Sequence, residues 1–133
     1  MATIRQDIEV RAAAEHVWDA VRDVAAVHER LVPGYVLATR VEGDVRYLTV
    51  PGGNVVRELI VAIDDEQRRL AYSAVEGFRL PLTHHHASFQ VFPEGEDRCR
   101  LVWITDVLPH EVAGDVRARV ERGAQVMKQA LES

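Results

Sequence analysis

At 133 residues the chain is long enough for one buried core and short for two, so residues 1–133 are read as a single domain. Its composition, 47% hydrophobic and 28% charged, is that of an ordinary globular protein and excludes collagen-like, coiled-coil and low-complexity classes. The net charge of −5, with basic residues scattered along the chain, argues against nucleic acid as a partner, since a phosphate backbone calls for clustered Lys and Arg.

No run approaches the roughly 18 apolar residues of a membrane span, and "MATIRQDIEV" lacks the apolar core of a signal peptide, so a cytoplasmic location is expected. Cys99 is the only cysteine, which rules out an intrachain disulfide and a multi-cysteine zinc knuckle. Within a strand it reads as a small hydrophobe, although Arg98 and Arg100 flank it.

Residues 3–10 read as a first strand. Val17, Trp18, Val21 and Val24, then Val27 and Leu31, fall at helical spacing up to Pro33-Gly34. Two short helices broken near Asp23-Val24 fit this stretch better than one long helix. The period then changes to two, with strands predicted at 35–41, 46–50, 55–63, 70–75, 84–92 and 100–108. Turn chemistry separates them, including "PGGN" at 51–54, which reads equally as a hairpin turn or as a lid with glycine hinges.

From 111 to 131, Val112, Val116, Val120, Ala124, Met127 and Leu131 recur at steps of three and four and make one apolar helical stripe. Gly123 inside that helix costs about 1 kcal/mol relative to alanine and predicts a close approach by another element. Six antiparallel strands followed by a long amphipathic helix indicate an α+β domain with the helix laid on one sheet face.

The stretch "LTHHHASFQVF" places three histidines at the start of a strand, where His84 and His86 share one face and His85 takes the other. The residues alone leave four readings open: metal ligands, a catalytic acid or base, pocket lining, or solvated side chains. No phosphate-cradling glycine loop, G-x-S-x-G elbow or metal-ligand spacing accompanies them, and no cofactor or metal is expected.

The element order, with "EHVWDAVRDV", "VVRELIVAIDDEQRRLAYSAVEG" and "RLVWITDVLPHEV", resembles the START-like (SRPBCC) superfamily, in particular bacterial polyketide cyclase/dehydrase-like members, over essentially the whole chain. Ala13 departs from the proline that many members carry before the first helix. The resemblance implies a helix-grip fold: a curved seven-stranded antiparallel sheet around the C-terminal helix, two short helices between strands 1 and 2, and an apolar cavity inside.

Two strand parities compete. Hydrophobicity buries Ala87, Phe89, Val91, Leu101 and Trp103. Similarity to plant hormone receptors of this fold instead turns Glu58, Tyr72, His86, Ser88, Val102, Ile104 and Asp106 inward, and the expectation adopted here follows it.

That parity makes His84, His86, Glu58 and Asp106 the catalytic candidates. Tyr72, Ser88, Val102, Ile104, Val120 and Met127 become the ligand-binding candidates. It also leaves Phe89 and Trp103 on the outer face, where a homodimer would cover them. The implied function is binding of a small hydrophobic molecule of lipid, polyketide or aromatic type. The alternative is a cyclase or dehydratase using a His/carboxylate acid–base pair.

Overall fold

A computed structural model describes residues 2–133. Seven strands, β1 (Ala2–Val10), β2 (Ala38–Glu42), β3 (Val45–Thr49), β4 (Val55–Asp64), β5 (Arg69–Glu76), β6 (His84–Pro93) and β7 (Cys99–Leu108), form one antiparallel sheet in the order β1-β7-β6-β5-β4-β3-β2. Helices α1 (Ala14–Arg22) and α2 (Val27–Arg30), separated by a 3-10 turn at Val24–Ala26, connect β1 to β2, the two opposite edges of the sheet. Helix α3 (Ala113–Leu131) follows a 3-10 turn at His110–Val112 and contacts β1. This is the helix-grip α+β fold.

Alternation drives the sheet. On β1, Ile4, Ile8 and Val10 are buried while Thr3, Arg5, Asp7 and Glu9 face solvent. The predicted stripe of α3 is buried throughout, from Val112 and Val116 to Met127 and Leu131. Its first half packs with Ile4 and Val107, and its second half joins the main core. Gly123 meets the Trp103 ring, whose Cη2 and Cζ3 lie 3.1 Å from where a Cβ would stand, which is the close approach that the sequence predicts. Trp18 is buried on α1 and donates Nε1–H to Asp65 after β4 at 3.0 Å, tying α1 to the β4–β5 turn.

One strand starts later than its pattern suggests. Residues 35–37 precede β2 because the Val32 carbonyl accepts from both the Tyr35 and Val36 amides, closing a turn that sends these two side chains inward. The "PGGN" stretch is the β3–β4 hairpin turn, with Gly52 and Gly53 at φ of 98° and 85°, conformations that favour glycine.

Candidate functional site

Cross-strand partners in an antiparallel sheet share a face. Tyr72 pairs with Ala87, which pairs with Thr105, and Leu70 pairs with Phe89, which pairs with Trp103. The odd-numbered face of β6 and β7 is therefore the concave one, and His85, Phe89, Trp103 and Thr105 line hollows between the sheet and α3. The adopted parity is corrected for these two strands.

His84, His86 and Asp106, and with them Ser88, Val102 and Ile104, lie on the convex face, where Asp106 accepts from the Thr3 hydroxyl at 2.5 Å. Glu58 and Tyr72 do face inward, as do Val120 and Met127 of α3. The structure thus brings together Glu58, Tyr72, Val120 and Met127 and separates them from the other six. With Phe89 and Trp103 inside, the reason to cover them by a homodimer is gone.

Two irregularities let β4 keep its own phase. The register shifts between Arg57 and Glu58 and again between Ile60 and Ala62, leaving Val75 and Val61 as the extra residues. Glu58 opposes Arg46 on β3, and both turn inward.

The hollow has three connected parts. An inner chamber of about 140 Å³ lies among Leu31, Leu70, Phe89, Gly123 and Met127. An outer chamber of about 220 Å³ lies among Ala74, His85, Thr105, Val116 and Val120. Tyr35, Leu48, Glu58, Tyr72 and Trp103 line both chambers, so the two adjoin. A wider mouth of about 370 Å³, bounded by the hairpin turn, Arg79, Arg119 and Arg122, meets the outer chamber at Tyr35, Val56, Phe78 and Arg119.

An aromatic stack forms the wall. Phe89 lies 5.0 Å from Trp103 and 5.9 Å from Tyr72 between ring centroids, and Trp103 Nε1–H donates to the Tyr72 hydroxyl at 3.1 Å. Burial, reinforced by the Glu58 charge, pushes the Tyr72 phenol well above its ordinary pKa and keeps its proton in place. Among the described residues no acceptor holds that proton.

Glu58 is committed to Arg46, whose Nη2 and Nε donate to Oε1 at 2.6 and 3.0 Å in a buried pair.

His85 is held by its Nδ1, which accepts the Ala74 amide at 2.9 Å, and this assigns the ring proton to Nε2. Burial first, then the neighbouring charges of His86 and His84, lower its pKa to about 4, so the ring is neutral at physiological pH. Thr105 is only 2% exposed, and its hydroxyl has no hydrogen-bond partner among the described residues. Among those residues no group of three or more His, Cys, Asp or Glu is arranged to hold a metal ion. Cys99 is fully buried, and burial lifts its thiol pKa to about 11, so it serves as packing.

Sequence reasoning missed His85, Thr105, Trp103, Phe89 and Arg46 as cavity residues. The signal for four of them was the apolar odd face of β6 and β7. Nothing in the sequence pointed to Arg46, whose burial depends on its cross-strand partner.

Among the described residues no helix is long and apolar enough to cross a membrane. Among curated proteins, none matches the sequence. Solved structures of similar fold include an uncharacterized protein from Bacillus thuringiensis, 20% identical with a TM-score of 0.88, covering 99% of this chain and 100% of that one. A protein from Thermobifida fusca is 29% identical with a TM-score of 0.82, covering 99% and 91%. Norcoclaurine synthase from Thalictrum flavum, in complex with dopamine and hydroxybenzaldehyde, is 22% identical with a TM-score of 0.72, covering 98% and 84%. The model of the family described as polyketide cyclase / dehydrase and lipid transport matches residues 1–133, so the chain belongs to that family.

Proposed function

We propose that the protein binds a small, largely apolar molecule that carries a carbonyl-type oxygen, in the chambers between its sheet and α3. The carrying observation is the buried, unpartnered hydroxyl of Thr105, a residue that lines the outer chamber. A buried polar group left unpaired costs free energy, and such a group in a native protein calls for a reason. A ligand atom beside it supplies one. Nε2–H of His85 and the Tyr72 hydroxyl proton, lining the same chamber, are both donors, so the complementary group is an acceptor. The two chambers together fall at the lower end of the roughly 300 to 1,000 Å³ usual for small-molecule pockets.

Proton-transfer chemistry draws less support. With Nε2 protonated and the ring pKa near 4, His85 is built to donate a hydrogen bond, and a general base near neutral pH needs a higher value. The family description allows both lipid transport and cyclase chemistry.

Calorimetric titration with a ten-carbon methyl ketone, against the alkane of the same length, tests the reading. The ketone should bind more tightly, and His85→Leu should abolish its advantage while His84→Ala and His86→Ala preserve it. Equal affinity for ketone and alkane would reject the carbonyl assignment.

A further inference from the structure

We infer that the ligand is an amphiphile whose far end carries an anionic oxygen acid, a carboxylate or phosphate, held by the arginines of the cavity mouth. The inference rests on the proposed cavity function. Arg79, Arg119 and Arg122 all line the mouth, and no Asp or Glu does. In a chain with 21 acidic residues and a net charge of −5 such a wall is not an average sample of the surface.

Many of its arginines hold carboxylates: Arg22 pairs with Asp65, Arg30 with Asp19 and Asp23, Arg46 with Glu58, and Arg68 with Glu15. Among the described residues, the three mouth arginines pair with no carboxylate. Arg79 is instead directed across the mouth by its Nη2–H, which donates to the Pro51 carbonyl at 3.3 Å.

Arg119 and Arg122 stand three residues apart on α3, where side chains are neighbours and like charges disfavour the helix. An anion between them reverses the sign of that interaction. Their guanidinium groups present paired donors suited to two oxygens of a carboxylate or phosphate. The Arg119 backbone is fixed as well, because its carbonyl accepts from the Tyr35 hydroxyl at 3.1 Å. Arg119 lines both the mouth and the outer chamber, so a head group on it continues directly into apolar space among Val56, Phe78 and Val120. A charged head and an apolar body are thus selected along one path.

The test compares the ten-carbon methyl ketone with the ten-carbon keto acid that replaces the terminal methyl by a carboxylate, and with the corresponding phosphate monoester. Charge-assisted hydrogen bonds should make the two anionic probes bind at least about tenfold more tightly than the ketone. That preference should fall to about twofold or less in the Arg119→Gln/Arg122→Gln protein and weaken with added salt. Arg117→Gln removes the same charge from the same helix away from the mouth and should keep the preference.

Inorganic phosphate should compete with the keto acid, leave ketone binding alone and bind more weakly than the phosphate monoester; phosphate binding as tightly as the monoester would make a free anion the occupant and overturn the amphiphile. Ketone binding without any preference for the acid would overturn the anionic head group and leave the cavity reading standing. Failure of all three probes to bind would overturn both. A preference that survives in the double variant, or vanishes in Arg117→Gln, would also overturn the assignment to the mouth.

Discussion

Arg46 and Glu58 oppose each other across β3 and β4, 2.6 Å apart at Nη2 and Oε1, with side chains only 4% and 9% exposed. A buried ion pair is costly to break and cheap to replace as a unit. Glu58→Leu, which strands the guanidinium, should lose about 3 to 5 kcal/mol of stability. Arg46→Met/Glu58→Leu should lose clearly less than that. Urea denaturation of the single and double variants measures both, and additive losses would show that the pair is uncoupled.

The Thr105 hydroxyl predicts an opposition between stability and binding. Thr105→Val keeps the shape and removes an unpaired polar group, so the free protein should gain about 1 kcal/mol. The same change should weaken binding of the ten-carbon methyl ketone several-fold. Thermal melts and calorimetry on one preparation report both effects, and a destabilised variant would mean that the hydroxyl has a partner in the free protein.

His85 sets a pH dependence. Its pKa is lowered on folding to about 4, so between its ordinary value near 6.5 and 4 the unfolded chain binds more protons than the native one. Stability should therefore be complete above about pH 6.5, fall by up to a few kcal/mol as pH drops, and level off below about pH 4. His85→Leu should flatten that part of the profile, as measured by denaturant midpoints at several pH values. An unchanged slope would place the titration elsewhere.

How much of this was legible in the sequence varied with the range of the interaction. The α3 stripe and the strand pattern depend on local periodicity, and Val116 to Leu131 are buried as their spacing requires. The inward placement of Phe89 and Trp103 was also written in apolar alternation, and the analogy that set it aside failed because face is decided strand by strand. Glu58 and Tyr72 point inward while His86 and Asp106 do not, since Tyr72 pairs with Ala87 and β4 shifts phase twice. Bulges and the burial of Arg46 arise from cross-strand pairing, which no local pattern encodes.

Gly123 gives a local check on the packing of α3. Alanine is the better helix former by about 1 kcal/mol, yet its Cβ would stand 3.1 Å from the Trp103 ring. That ring is held by Phe89 and by its bond to Tyr72, so it yields little. Gly123→Ala should therefore destabilise the protein by about 1 to 3 kcal/mol. A gain in melting temperature would show that Trp103 is free to move.

Trp103 lines both chambers and can report their occupancy directly. In Trp18→Phe it is the remaining tryptophan, and titration with the ten-carbon methyl ketone should change its emission along a saturable curve. Adding Ala74→Phe, which fills the outer chamber, should abolish that saturation while the protein still melts cooperatively. A linear response with no saturation, the same with and without the added phenylalanine, would contradict binding in this cavity.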